Sequence, residues 1–152
     1  MGTSTAGAGN VVGIDDVSVV DVWDRLKTDP AAVLVDVRTK AEWSFVGVAD
    51  LSSIGRQVLL TEWQTFPAGQ VDPQFADKLA GQLEAAGVGK DHEIFFICRS
   101  GGRSKSAATV MAAKGYSRCR NVADGFEGPL DPTRHRGAAG GWKAAGLPWV
   151  QT

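Results

Sequence analysis

Short apolar runs alternate along the chain with segments whose apolar residues recur at helical spacing. The runs at residues 32–35 and 94–97 are continuously apolar and rich in branched or aromatic side chains, which is typical of strands covered on both faces. Residues 58–60 predict a further strand, and residues 119–122 predict another. These runs predict the interior strands of a sheet.

The segments between the runs have the spacing of amphipathic helices. The first helix is predicted to begin near Asp16, with Val19, Trp23 and Leu26 on its apolar face. The second begins at residues 72–73, where an aspartate and a proline resemble a cap and a first helical residue, and it ends before Gly87. Residues 104–114 suit a packed helix, and residues 142–145 form a helical turn.

Strands that alternate with helices over short connections indicate an α/β fold. We therefore predict a central parallel sheet of about five strands with helices on both faces. The length of 152 residues fits one domain. Residues 1–13 are small and polar and predict a flexible N-terminal tail, so the domain is expected to span residues 14–152.

Composition and charge exclude several classes of protein. Hydrophobic residues at 43% and charged residues at 22% are ordinary for a folded globular chain. The formal net charge of −1 provides no basic excess, so neither nucleic acid nor a membrane is an expected partner. The chain also lacks an apolar stretch of about 20 residues and a signal-like start. A cytoplasmic location is expected.

The cysteines do not predict a cross-linked or metal-binding protein. Two cysteines are too few for a disulfide framework, and with the two histidines they show no metal-ligand spacing. We expect a reduced thiol, no metal and no cofactor. We interpret Cys119 as a packed residue rather than as a thiol that resolves a persulfide on Cys98 by forming a disulfide. We interpret His135 as part of a solvated basic loop rather than as a base or an anion contact.

The candidate chemistry lies where the strand at residues 94–97 ends. Cys98 opens a loop that leads into the predicted helix, with the sequence Cys98-Arg99-Ser100-Gly101-Gly102-Arg103-Ser104. Glycines permit a turn whose backbone N–H groups converge as an anion nest, and the helix N-terminus adds positive potential. We expect Cys98 to be a thiolate at pH 7 and therefore a nucleophile. The alternative is an ordinary buried cysteine beside a structural turn.

The same loop is expected to hold an anion as well as the nucleophile. Its donors would bind an anionic substrate and stabilise a persulfide, and Arg99 and Arg103 would add positive charge, one pointing inward and the other lying on the rim. At the end of another predicted strand stand Asp36 and Arg38, where an open parallel sheet places its ligands. A structural ion pair below the loop explains this aspartate and arginine almost as well.

The loop from Cys98 to Arg103 resembles the active-site loop of the rhodanese family, often Cys-Arg-Ser-Gly-Gly-Arg. Two further stretches are similar to family patterns: Val35-Asp36-Val37-Arg38 followed by Glu42-Trp43, and residues 121–126 with a glycine before a bulky residue. The chain departs from the family where it reads Gly47-Val48-Ala49 in place of glycine-histidine-isoleucine. It is also longer at residues 51–69 and 131–149.

The resemblance implies a single-domain thiosulfate sulfurtransferase in which Cys98 carries a persulfide. It implies that the loop binds substrate through Arg99, Ser100, Gly101, Gly102, Arg103 and Ser104. It further implies supporting roles for Asp36, Arg38 and Glu42. The expected partners are a small anionic sulfur donor, a thiol or cyanide acceptor, and a protein that exchanges persulfide.

Two other functions stay open. A persulfide-delivery module would receive sulfur from a protein and turn over little thiosulfate. A cysteine phosphatase or arsenate reductase would also use a thiolate in an anion cup, but those loops place arginine six positions after cysteine, whereas Arg103 lies five after Cys98. The smaller cup favours one sulfur atom over a phosphoryl group, and no aspartate is evident as a general acid.

Overall fold

The computed structural model describes residues 13–65 and 69–151, in which strands and helices alternate. The strands are β1 Asp15–Val17, β2 Val33–Asp36, β3 Val48–Ala49, β4 Leu59–Leu60, β5 Glu93–Ile97, β6 Arg118–Val122 and β7 Trp149–Val150. The helices are α1 Val19–Thr28, α2 Lys40–Phe45, α3 Phe75–Ala85, α4 Gly102–Ala113 and α5 Gly141–Ala144. The predicted tail falls outside the described residues, apart from Gly13.

The main sheet has five parallel strands in the order β1-β6-β5-β2-β4. Its central strand, β5, is buried at every position. Asp36 at the end of β2 lies in register with Ile97 at the end of β5. The two strand ends that carry the candidate chemistry are therefore neighbours at one edge of the sheet.

Two apolar clusters sandwich this sheet. On one face, α1 and α5 pack with residues such as Val22, Leu26 and Trp142 against Leu34 and Phe95. On the other face, α3 and α4 contribute a second cluster, which contains Phe75, Leu79, Leu83, Ala107, Ala108 and Met111. The predicted α/β fold, with about five parallel strands and helices on both faces, is confirmed.

The start of the domain differs from the prediction, because Asp16 lies in strand β1 and not in a helix. Helix α1 begins at Val19, since the backbone N–H of Asp21 donates to the Ser18 side chain at 3.2 Å. A three-residue edge strand is too short to show an apolar pattern. Helix α3 likewise begins at Phe75, because Asp72 caps a turn before it by accepting from the N–H of Gln74 at 2.9 Å.

The longer segments noted in the sequence contribute both core residues, Leu51 and Trp142, and peripheral structure. Residues 52–54 make a 3₁₀ turn before β4, and β7 pairs with β3 in a small antiparallel sheet. A Cβ on Gly47, whose φ is +113°, would lie 2.7 Å from the carbonyl oxygen of Val150. This close approach explains the glycine at position 47, whereas the residues that depart from the family pattern form β3.

In residues 13–65 and 69–151, no helix has the length and apolar character that a bilayer crossing needs. Within the same residues, no group of three or more His, Cys, Asp or Glu side chains is arranged to hold a metal ion.

Candidate active site

Cys98 lies directly after β5 with 1% of its surface exposed, and the loop directs its donors at the sulfur. The Sγ atom accepts from the backbone N–H of Gly101 at 3.2 Å and of Ser104 at 3.3 Å. The hydroxyl of Ser104 lies 3.2 Å from the same atom. Gly101 has a φ of +112°, a conformation that glycine adopts without strain. The loop is therefore a cup of donors around one sulfur atom.

The segment after β6 holds this cup from behind. The N–H of Phe126 donates to the carbonyl of Cys98 at 2.8 Å, and that of Glu127 donates to the carbonyl of Arg99 at 3.0 Å. A Cβ on Gly125 would lie 2.5 Å from the Cys98 carbonyl oxygen, so no larger residue fits without a backbone shift. The sequence identified this stretch only through its resemblance to a family pattern.

Glu42 and Arg103 form a bidentate ion pair between α2 and α4. The guanidinium nitrogens of Arg103 lie 2.7 and 2.9 Å from the two Glu42 oxygens. Burial alone would raise the pKa of Glu42, but the hydrogen bonds and charge of Arg103 outweigh it and lower that pKa below its ordinary value. The hydrogen bonds of Glu42 raise the pKa of Arg103 in turn. The last arginine of the loop is thus anchored to a neighbouring helix.

Thr39 explains how Glu42 is positioned. Its hydroxyl accepts from the N–H of Glu42 at 3.3 Å, while a Glu42 oxygen accepts from the N–H of Thr39 at 3.2 Å. This reciprocal capping box starts α2. The threonine and glutamate spacing was a readable signal for a helix, which our sequence prediction did not include.

The pair formed by Asp36 and Arg38 is fully buried below the loop. Arg38 Nη2 lies 2.7 Å from Asp36 Oδ2 and donates to the Gly47 carbonyl, also at 2.7 Å. The guanidinium carbon is 4.3 Å from the centre of the Phe126 ring. Arg38 therefore connects the end of β2 to Gly47 and to the segment that supports Cys98.

The other loop residues face outward. Arg99, Ser100 and Gly102 are exposed. A cleft of about 800 Å³ opens beside the loop and is lined by residues that include Phe45, Glu127, Arg99 and Arg103. Arg99 thus lies at the mouth of the cleft, whereas the charge of Arg103 is largely balanced by its ion pair.

Cys119 and His135 lie away from this cup. Cys119 pairs in register with Ile94, four residues before Cys98, which corresponds to about 13 Å along a strand and is too far for a disulfide. Burial raises the pKa of the Cys119 thiol to about 11, although Arg120 opposes the shift. His135 is exposed and lies 3.0 Å from the hydroxyl of Thr133.

The structure adds Asn121, which sequence reasoning did not propose as a site residue. Its side chain is 3% exposed, and its Oδ1 atom lies 2.5 Å from the hydroxyl of Ser104. Arg118 and Arg120 of the same strand are also polar but are exposed and half-buried, respectively, so the residue types of the strand did not mark Asn121 as the buried polar position. Asn121 contacts Ser104, which in turn contacts Cys98.

The fold and site define a class of protein: an open parallel α/β domain with a cysteine in a donor-lined cup at the end of its central strand. Residues 18–129 match the model of the rhodanese-like domain family. The crystal structure of Rv0390 from M. tuberculosis is 44% identical, with a TM-score of 0.82 over 93% of this chain and 100% of that one. The chain belongs to the rhodanese-like domain family.

Other proteins are also similar to this chain. The RP600 homolog of Rickettsia rickettsii, an uncharacterized protein, is 34% identical over 90% of this chain and 97% of its own length. The solution structure of a homodimeric polysulfide-sulfur transferase from Wolinella succinogenes has a TM-score of 0.56 and 18% identity, with 91% of this chain and 80% of that one covered. At that identity, the likeness shows the fold. Membership of the family supports sulfur transfer as the class of activity.

Proposed function

We propose that the protein is a sulfurtransferase that carries a sulfane sulfur on Cys98. The observation that carries the proposal is the convergence of two backbone N–H groups and one hydroxyl on Cys98 Sγ at 3.2 to 3.3 Å. Donors held in this way stabilise negative charge on sulfur without reorganisation. They serve a thiolate first and a persulfide afterwards.

The reaction with thiosulfate is a double displacement. The Cys98 thiolate attacks the outer sulfur of thiosulfate, the sulfur–sulfur bond of thiosulfate breaks, and sulfite leaves with its electron pair. Cys98 then bears a persulfide with one negative charge. A thiolate or cyanide attacks the outer sulfur and carries it away as a persulfide or thiocyanate, which returns Cys98 to the thiolate.

The arginine arrangement supports sulfur over phosphate as the transferred group. Glu42 accepts hydrogen bonds from both terminal nitrogens of Arg103, so these nitrogens are not free to bind a phosphoryl group in a bidentate manner. The loop also reaches this arginine in five positions. A persulfide needs room for one additional sulfur atom, which a small cup supplies.

The cleft beside the loop favours a second candidate function, a persulfide-delivery module. Its volume of about 800 Å³ far exceeds that of thiosulfate. Phe45 on its wall is 79% exposed, and the same cleft contains the loop residues Arg99 and Arg103, so a macromolecule could contact an apolar and a basic surface together. In this function the donor or acceptor is a protein thiol that exchanges persulfide.

Intact-mass measurement after thiosulfate treatment tests the proposal. Wild type should gain one sulfur atom, Cys98→Ser should gain none, and Cys119→Ser should behave as wild type. Absence of any adduct on wild type contradicts the thiosulfate reaction. A cysteine desulfurase with its sulfur source can then be offered as a donor: loading without thiosulfate turnover favours the delivery module, and aryl-phosphate hydrolysis without thiocyanate formation favours a phosphatase.

A further inference from the structure

The hydroxyl of Ser104 faces three acceptors, although it has one proton to donate. Ser104 is fully buried. Its Oγ atom lies 3.2 Å from Cys98 Sγ, 3.3 Å from the Gly101 carbonyl oxygen and 2.5 Å from Asn121 Oδ1. The proton can therefore bond to the reactive sulfur, to the Gly101 carbonyl or to the Asn121 amide oxygen, and the amide oxygen is the nearest of the three.

Asp16 determines which end of the Asn121 amide faces Ser104. The Nδ2 group of Asn121 donates to Asp16 Oδ1 at 2.9 Å, and a carboxylate can only accept. Lys105 binds the other oxygen of Asp16 at 3.2 Å. The hydrogen bond from Asn121, followed by the contribution of Lys105, lowers the pKa of Asp16. With Nδ2 committed to this carboxylate, Oδ1 must point toward Ser104.

The preferred acceptor depends on the charge of Cys98 Sγ. A thiolate forms a charge-assisted hydrogen bond and attracts the Ser104 proton. In a persulfide the charge moves to the outer sulfur, and Sγ becomes a weak neutral acceptor. The proton then has Asn121 Oδ1 as its partner, so the buried hydroxyl never loses its hydrogen bond.

We propose that Asn121 and Asp16 are positioning residues that hold an alternative acceptor for the Ser104 proton and so tune the charge state of Cys98. The persulfide half of this role rests on the proposed function. The thiolate half does not, because Asn121 competes for the same proton whether or not sulfur is transferred.

Other charged groups also surround Cys98, and the test must leave them unchanged. Arg103 in the first turn of α4 carries positive charge, and Glu42 of α2 balances it. The buried Asp36 and Arg38 pair lies at the end of β2, and exposed Arg99 belongs to the loop. Asp124 follows β6, with its backbone N–H near Gly101 of the loop and its carboxylate beside Gly140.

The test measures the pH at which half of Cys98 is ionised, from thiolate absorbance at about 240 nm in a Cys119→Ser background. Ser104→Ala removes the donor and should raise this midpoint by about one pH unit, the effect of one charge-assisted hydrogen bond. Asn121→Leu removes the competing acceptor and should lower the midpoint by roughly half a unit. The double variant should match Ser104→Ala, because Asn121 acts through Ser104.

Asp16→Ala provides a second variant at an exposed edge, so the test does not depend on how Asn121→Leu folds. The amide of Asn121 is then free to turn its N–H toward Ser104, and the midpoint should again fall. Asp15→Ala is the matched control, since it removes the same charge from the same strand while Asn121 keeps its hydrogen bond to Asp16. Both changes are compared with Lys105 replaced by alanine, because Asp16→Ala would otherwise release this cation. Asp15→Ala should move the midpoint less than Asp16→Ala does.

The signs of these shifts separate a positioning role from a structural one. Loss of packing alone does not move the midpoint in opposite directions for the Ser104 and Asn121 variants. It also does not make the effect of Asn121→Leu disappear when Ser104 is already alanine. The proposal is overturned if the Asn121 variant raises the midpoint or leaves it unchanged, or if Asp16→Ala equals Asp15→Ala. Because the titration uses no sulfur donor, a failed loading of Cys98 with thiosulfate would contradict the proposed function separately.

Discussion

Replacement of Arg38 by alanine should lower the stability of the fold more than it lowers the activity of each folded molecule. The side chain is fully buried, and its Nη2 group binds both Asp36 Oδ2 and the Gly47 carbonyl at 2.7 Å. Arg38 makes no contact with Cys98 in the hydrogen bonds of the described residues. The variant Arg38→Ala therefore removes a support and leaves the donors of the cup in place.

The expected loss of stability follows from the charge that Arg38→Ala leaves buried. The Asp36 carboxylate, with 1% of its side chain exposed, would lose its cation. Removal of one partner from a buried ion pair costs about 3–5 kcal/mol, because the other charge stays buried without compensation. For a chain of this size each kcal/mol lowers the melting temperature by about 2–4 °C, so we expect a fall of roughly 6–20 °C.

Thermal melts and urea titrations measure the stability, and thiocyanate formation per folded molecule measures the chemistry. Asp36→Asn combined with Arg38→Met should recover part of the loss, since the uncompensated charge is gone. Lys78→Ala is the control: it breaks the exposed ion pair with Asp72 and should leave the melting temperature nearly unchanged. Loss of activity in Arg38→Ala without a lower melting temperature would refute this reasoning.

Three further predictions concern pH, thiol reactivity and the support of the loop. The folded-state pKa of Glu42 lies below the ordinary value of 4.5, so its contribution to stability is present above that value and is lost as pH falls through the folded pKa. In urea titrations, the free energies of unfolding of wild type and Glu42→Gln should therefore converge in acid. A difference between the two free energies that stays constant down to pH 2 would contradict this. Since the pKa of the Cys119 thiol is about 11, peptide mapping after brief iodoacetamide treatment at pH 7 should find the label on Cys98, and faster labelling of Cys119 would argue against the cup as an activating site. Gly125→Ala should destabilise the protein and reduce sulfur loading, because its Cβ would lie 2.5 Å from the Cys98 carbonyl oxygen. Gly55→Ala is the control for backbone strain alone, since Gly55 has a similar φ of +72° and its Cβ would have nothing within 4 Å. Equal melting temperatures for the two variants would contradict the steric argument.

The interior of the fold and its reactive loop could be predicted because their signals are local. The apolar run at residues 94–97 predicted the central strand, and the glycines after Cys98 predicted a turn into a helix. Such signals depend on residues that are close in sequence, where spacing and dihedral preferences act directly. The short edge strand at Asp15–Val17 was predicted wrongly, since three residues carry too little pattern and tertiary pairing with β6 decides their conformation.

By itself, the sequence determined a parallel α/β domain with a cysteine in an anion-binding loop at a strand end. The tertiary structure alone decided which distant residues surround that loop. Glu42 reaches Arg103 across 61 positions, and Asp16 reaches Asn121 across 105. These contacts arise because β2 lies beside β5 and β1 lies beside β6. The order of strands in a sheet is set by how the whole core packs, and no local spacing along the chain encodes it.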